Sequence, residues 1–550
     1  MLDADSIVIG SGSGGMTAAV ALAQQGEKVI VLEQHEVPGG WCHTFQRGGY
    51  HFSPGVHYVG QLEAGQATAK IYEGLGVADD LQFFQLNPNA FEQVTISGER
   101  FDYCRDPEKL MERFQERFPK EKKGIADYFE IVNNVFTQIP LVSQVKGFKQ
   151  AITVPYRTRH LGKYGLFSVK TILGNRVKDP LAKAFLTIQA GDHGLPPKLA
   201  PLALHSGVMG HYFNGGYYPV GGGMAIPLAL RKSLKQHKGE IRLNAKVKKI
   251  LIEGTGDDRK AIGVELADGT TLRAGKIFSN ADPHQTFAKL VGKENLSKSM
   301  MKKLEKTTYS LPAISLFFAI DVNPKTLGMD SGNIWYAKNT DLDGNFDRSS
   351  SKEIFSKNEF EGLFVTALSL KDPTQYNGVH HTLEAVTFVG YEAFKAFENT
   401  NSGTRSGEYL HFKEKIMQMM LATLEKAVPG ITKQIVFKEL GTPSTSAHFL
   451  NATEGACYGT AKTRFQMGPF SYRNRTEIKN LYLCGASTTA HGVSGAANSG
   501  LDAVQAALRI ERKDILKNTT QKMRTYSAED SASWPEAIHQ KIKLNQSRHT

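Results

Sequence analysis

Short apolar runs punctuated by glycine mark the first part of the chain. Ser6-Ile7-Val8-Ile9 has the unbroken apolar character of a strand covered on both faces, and Gly10-Ser11-Gly12-Ser13-Gly14-Gly15 follows at once. Met16 to Gln25 then reads as a helix with small residues on one side, and Lys28 to Leu32 as a second strand that ends in Glu33. A second glycine-rich stretch, residues 215–224, leads into a helix predicted over Ala225 to Gln236. Residues 240–279 alternate apolar runs with turn signals, clearest at Asp268-Gly269, which is the pattern of an antiparallel meander. Asn480 to Cys484 predicts another strand. Glycine loops follow at Gly485-Ala486-Ser487-Thr488 and Gly492-Val493-Ser494-Gly495-Ala496, and a helix is expected from Asn498 to Ile510. Beyond Ile510 the chain turns polar, and residues 513–550 are expected to form a loosely held tail.

The first of these units has a specific chemistry. Gly-x-Gly-x-x-Gly between a strand and a helix, with an acid at the tip of the next strand, is a dinucleotide-binding arrangement. Gly10 allows the tight turn, Gly12 keeps the pyrophosphate path clear, with Gly14 in the same loop, and Gly15 lets the helix pack close to the strand. The helix N-terminus offers free N–H groups and partial positive charge to phosphates. Glu33 accepts from ribose hydroxyls and repels a 2′-phosphate, which disfavours NADP here.

Composition narrows the classes. The chain has 550 residues, 41% of them hydrophobic, enough for roughly three units of about 150 residues each. Its net charge of +12 points to an anionic partner such as acidic lipid or a phosphate-rich cofactor, the alternative being a solvated basic surface. No zinc-finger spacing or RNA-binding signature supports nucleic acid, and no metal site is expected. Cys42, Cys104, Cys457 and Cys484 form no Cys-x-x-Cys pair, which argues for a reducing compartment. The N-terminal acids Asp3 and Asp5 stand where a secretory signal would carry bases. Apart from that terminus, the longest apolar stretch, Leu311 to Ile320, falls far short of the roughly 20 residues of a membrane span. A cytoplasmic protein is expected, peripheral on a membrane surface. The contact is expected within residues 141–180, where Lys146, Lys149, Arg157, Arg159, Lys163, Lys170, Arg176 and Lys178 interleave with apolar side chains, Phe148, Ile152, Leu166, Phe167, Val169 and Ile172 among them. A half-buried helix is the other reading of that segment.

Further motifs carry a family resemblance. Val31-Leu32-Glu33-Gln34-His35, Gly39-Gly40, Cys42-His43-Thr44-Phe45 and Gly55-Val56-His57-Tyr58-Val59-Gly60 resemble the phytoene desaturase, carotenoid isomerase and retinol saturase family of FAD-dependent oxidoreductases. They look most like its retinol saturase branch, as do Thr442-Pro443 and Gly455-Ala456-Cys457-Tyr458-Gly459. The chain departs from the family at Ser53-Pro54, where relatives carry Asp-Thr or Asp-Val. The resemblance runs over most of residues 3 to 511. It implies FAD as the cofactor, held by Gly10, Gly12, Gly14, Gly15, Glu33, Gln34, Gly39, Gly40, Val247, Asn280, Gly485, Ala486, Val493 and Ser494. Among these, Gly39-Gly40 approaches the flavin end, and Val247 touches the adenine through its backbone. It further implies an α/β fold with a discontinuous Rossmann-like FAD-binding domain of amine-oxidase type, built from 1–75, 215–300 and 435–512, and a second α+β substrate domain from 76–214 and 301–434.

The reaction implied is on a carbon–carbon double bond of a conjugated isoprenoid, most simply its saturation. A desaturase or cis–trans isomerase on the same scaffold, and a non-catalytic prenyl-lipid carrier, are the alternatives, and the intact glycines and Glu33 argue against the carrier. Saturation needs a proton as well as a hydride, and His43, His57, Tyr58 and Tyr458 are the candidate donors. No second Gly-x-Gly-x-x-Gly lies between a strand and a helix, so a separate electron donor is expected. Cys42 reads as a packed thiol and not as half of a redox pair. The apolar substrate is expected to lie against Leu311 to Ile320, Leu363 to Leu370 and Ala385 to Tyr391, unless these are simply core strands.

Overall fold

The computed structural model describes residues 2–143, 148–398, 404–517 and 520–547, without the side chains of 143 and 148–152. Strand β1 (Ala4–Ile9) leads through helix α1 (Ser13–Gln24) to strand β2 (Val29–Leu32). All of β2 and nearly all of β1 is buried, which is why these strands read as unbroken apolar runs. They stand inside a seven-stranded sheet. Thr271–Ser279 pairs in parallel with β1 on one side, β2 on the other, and Glu240–Arg242 lies beyond β2. Val247–Glu253, Lys260–Leu266 and Thr271–Ser279 form the expected antiparallel meander. Strand β3 (Leu481–Leu483) joins the end of Thr271–Ser279 in parallel. The carboxyl ends of β1, β2, β3 and Thr271–Ser279 therefore point the same way, towards the edge where open α/β sheets bind ligands.

Helix α2 (Gly492–Leu508) follows β3 and begins at Gly492, not near Asn498 as the sequence suggested. Glycines lower helix propensity and so read as a loop, but close packing overrides propensity here. A β-carbon on Gly500 would stand 2.3 Å from the Gly14 carbonyl oxygen, and one on Gly495 would stand 2.9 Å from Ala490. The small residues let α2 cross α1 at backbone contact.

A second seven-stranded sheet has the order Ile435–Gly441, Ala313–Ile320, His381–Phe388, Gly362–Ala367, Asn333–Ala337, Glu92–Ile96, Glu99–Tyr103. The first of these strands pairs with Ala313–Ile320, so residues 435–441 belong with this sheet and not with the glycine loops. Strand alternation splits its side chains between two cores. Ile314, Leu316, Phe318, Leu363, Val365, Leu383 and Ala385 pack on one face, and Ala313, Phe317, Phe364 and Val386 on the other.

The polar tail is not loosely held. Arg524–Ser527 pairs in parallel with Gln82–Gln85, and the helix Glu536–Ser547 buries Ile538 in a small cluster with Phe84, Val220 and Ala528. A few apolar anchors in a polar segment suffice to dock it, and composition alone does not reveal them. Among the described residues no helix is long and apolar enough to cross a membrane.

Candidate active site

A cavity of about 330 Å³ runs from the carboxyl ends of the first sheet to one face of the second. At its first end the sequence dictates the shape. Gly10 has a positive φ of 88°, which turns the chain sharply after β1. A β-carbon on Gly15 would stand 2.1 Å from the Gly10 carbonyl oxygen, so α1 packs directly on the turn. Gly12 caps α1 with no side-chain hydrogen bond, and His491 caps α2 equally bare. Gly12, Ser13 and Gly14 from one helix start, and Gly492, Val493 and Ala496 from the other, line the cavity. Two helix N-termini thus present unpaired N–H groups to one space.

Glu33 sits at the tip of β2 and is almost fully buried. Its Oε2 accepts from the Ser11 amide at 2.9 Å and the Ser11 hydroxyl at 2.6 Å, and its Oε1 from the His35 amide at 2.9 Å. The Ser11 hydroxyl oxygen accepts in turn from the Gly39 amide at 3.0 Å. Gln34, Gly40, Val247, Asn280, Gly485 and Ala486 complete this end. Its chemistry fits FAD: bare N–H groups for the pyrophosphate, an acid for ribose hydroxyls, and glycine cradles that a side chain would fill. Two residues expected on this wall are elsewhere. Gly15 is spent on packing, and the Ser494 hydroxyl pairs with Thr68 at 2.8 Å.

The far end is aromatic and apolar, with Ala313, Trp335, Phe364, Val386 and Phe388 on its walls. Of the three expected lining segments the first contributes Ala313 and Ser315, the second Phe364 alone and the third Val386 and Phe388, while Ile314, Leu316, Leu363, Val365 and Ala385 face the core behind. His43, His57, Tyr58 and Tyr458 all line the cavity. His43 Nδ1 lies 2.6 Å from the Gly40 carbonyl, and burial lowers its pKa. The Tyr458 ring lies tilted against His491, ring centroids 4.7 Å apart. His57 Nε2 lies 2.8 Å from Glu384 Oε2, and the other Glu384 oxygen accepts from the Ser53 amide at 2.7 Å. The Ser53 hydroxyl accepts from the Gly223 amide at 3.0 Å and so ties the second glycine stretch to the wall.

The sequence missed an ionisable cluster behind that wall: Glu92, Asp192, Lys371 and Glu384. Asp192 lines the cavity. Burial pushes Asp192 well above the usual carboxylate range, Glu92 up to about 7 and Lys371 down to about 7. Lys371 donates to the His57 carbonyl at 2.7 Å and to Asn333. One signal was readable: Glu384 is a lone charge inside the apolar run Leu383-Glu384-Ala385-Val386, and such a charge is buried only for a reason. Cys42 is free and buried, its thiol pushed up to about 12.

Among known proteins, the model of the family described as flavin containing amine oxidoreductase matches residues 13–328. All-trans-retinol 13,14-reductase of Danio rerio is 29% identical over 521 residues, 91% of this chain and 85% of the relative. Prolycopene isomerase 1 of an Oncidium hybrid cultivar is 28% identical over 527 residues, 92% of this chain and 85% of the relative. An oxidoreductase from Methanosarcina mazei superimposes with a TM-score of 0.63 at 18% identity, covering 92% of this chain and 100% of its own, and that likeness speaks for the fold.

Proposed function

Because the chain belongs to the flavin containing amine oxidoreductase family and uses FAD, we propose that it saturates one carbon–carbon double bond of a conjugated isoprenoid, such as retinol or a carotenoid. The observation that carries this reading is the single cavity that joins the dinucleotide cradle to an aromatic, apolar chamber. Bound FAD supplies the hydride chemistry. The chain's residues do the rest. The bare helix ends and Glu33 hold the cofactor, and Gly39 and Gly40 let it approach the chamber. Trp335, Phe364 and Phe388 exclude water and align a flat polyene by packing. His57, Tyr58 and Tyr458 stand on the same wall as candidate proton donors.

In this reading residues 1–75, 215–300 and 442–512 hold the cofactor, and 76–214 and 301–441 cover it. The resemblance to retinol reductases favours saturation. The resemblance to prolycopene isomerases keeps isomerisation as a second reading. The substrate arrives from lipid, and a peripheral membrane contact near Tyr156, Leu166 and Phe167, all exposed, supports its entry. Of the residues first expected there, Lys146 lies outside the described residues, as do the side chains of Phe148, Lys149 and Ile152. Val169 and Ile172 are core residues. Electrons come from a separate donor.

Product mass tests the function. Photoreduced enzyme mixed anaerobically with all-trans-retinol or a carotene is expected to yield product with two added hydrogens. Unchanged mass with a shifted spectrum replaces saturation with isomerisation. Loss of two hydrogens under oxidising conditions replaces it with desaturation.

A further inference from the structure

Tyr58 stands between two carboxyl groups. Its hydroxyl oxygen lies 2.5 Å from Glu92 Oε1 and 2.5 Å from Asp192 Oδ2. A phenol carries one proton and donates once. The second short contact is a hydrogen bond only if that carboxyl is protonated and donates to the phenol oxygen. Two ionised carboxylates on one hydroxyl, Glu92 fully buried and Asp192 partly so, would instead repel with nothing between one of them and the oxygen. The triad therefore stores a proton.

Its position within the triad follows from the neighbours. Gln189 Nε2 donates to Glu92 Oε2 at 3.2 Å, which favours the ionised form of Glu92. No second side-chain donor reaches Asp192 among the described residues. Burial and the negative charge of Glu92 raise the Asp192 pKa, opposed by Tyr58 and Lys371. The other groups facing Asp192 are Tyr212 and Tyr458, both held neutral by burial, and His491, whose Nε2 lies 2.9 Å from its backbone carbonyl. The order is Asp192 to Tyr58 to Glu92, and of the two carboxyls the protonated one is the one that lines the cavity.

We propose that Asp192 is the proton donor of the saturation step, with Tyr58 and Glu92 as the positioning residues that keep it charged with a proton. This rests on the saturation reading. The π bond of the substrate opens. Bound FAD in its reduced form would supply a hydride, with both electrons, to one carbon, and the neighbouring carbon takes the Asp192 proton. Asp192 is left as a carboxylate, and the Tyr58 hydroxyl turns from Glu92 to donate to it. Lys371, whose ammonium lies 5.8 Å from the Tyr58 ring centroid, offsets the new negative charge. Solvent restores the proton after product leaves. The net change is one double bond, one hydride and one proton to one saturated bond.

The stored proton is tested without turnover. Infrared spectra of the oxidised holoenzyme at neutral pH are expected to contain a carboxylic-acid carbonyl band that Asp192→Asn removes and Tyr58→Phe shifts. Turnover is tested separately. In anaerobic single turnovers Asp192→Asn is expected to keep FAD and to photoreduce as wild type does. Its reoxidation by the polyene is expected to slow by roughly 10²–10⁴-fold, and Asp192→Glu to recover part of the rate. Wild type is expected to lose rate at alkaline pH, a limb absent in Asp192→Asn. A spectrum with no band sensitive to Asp192→Asn overturns the proton store, and unimpaired reoxidation in that variant overturns the donor. A wild type that adds no hydrogens overturns the saturation reading on which the donor rests, while the infrared arm still decides the store.

Discussion

The side chain of Asn280 is wedged into the first glycine loop: a β-carbon on Gly12 would stand 2.7 Å from Asn280 Nδ2. Gly14 and Gly485 close on the same side chain, each with a β-carbon position 2.7 Å from Asn280 Oδ1. The loop has room for this amide and for a cofactor backbone, and for little else. Gly12→Val is expected to leave a folded, colourless protein. Circular dichroism and flavin absorbance after FAD reconstitution check it, and a yellow variant would contradict it.

Glu33 is held in place by Ser11 and His35, so its carboxylate is oriented before the cofactor arrives. Glu33→Ala is expected to weaken FAD binding by about 1–3 kcal/mol, the cost of poorly paired ribose hydroxyls, or about 5–150-fold in Kd. Fluorescence titration of the apoprotein measures it. An unchanged Kd would remove Glu33 from the site.

The glycine loop was legible in the sequence because everything it needs is local: a turn, a close approach and a helix start within a few residues. The proton cluster was not, because Glu92 and Glu384 on strands of the second sheet, Asp192 and Lys371 on short helices and Tyr58 in a loop meet only in the tertiary fold. Tyr58 was singled out as a lone phenol, and its meaning changes once two acids stand on it. The start of α2 was misplaced for a related reason, since packing of Gly500 on Gly14 outweighs local propensity.

Asp372 clamps the second glycine stretch, its Oδ2 accepting from Gly221 at 2.7 Å and Gly222 at 3.1 Å. Burial raises its pKa from 3.8 to about 6. An acid with a raised folded-state pKa contributes stability that is present below its unfolded value and is lost as pH rises through the folded one. Between about pH 4 and 6 this group therefore costs on the order of 3 kcal/mol of stability as pH rises. Asp372→Asn keeps an acceptor for both amides and is expected to flatten that part of the profile. Thermal unfolding across the window checks it, and a parallel wild-type and variant profile would refute it.

Leu166 and Phe167 are exposed beside Arg157, Arg159 and Lys163, which are exposed as well. Burying such side chains in a bilayer contributes about 1.5–3 kcal/mol each. Leu166→Asp with Phe167→Asp is expected to lower partitioning onto phosphatidylserine vesicles by at least about tenfold. Equal sedimentation of wild type and variant with the vesicles would defeat the membrane contact.

The source of electrons can be argued from what surrounds the cavity. Both strand–glycine–helix units, β1 with α1 and β3 with α2, open onto the same space, so together they make one cofactor site. A thiol relay is no substitute. Cys42, Cys457 and Cys484 also line the cavity, all free, and burial pushes each thiol up to about 12, where almost no thiolate exists at neutral pH. NADPH alone is therefore expected to reduce the flavin slowly, while photoreduction or dithionite reduces it fully. Treating the folded protein with a thiol-alkylating reagent is expected to leave both rates unchanged. Stopped-flow absorbance at the flavin band reads all of these, and rapid bleaching by NADPH alone would show that a nicotinamide reaches the flavin directly.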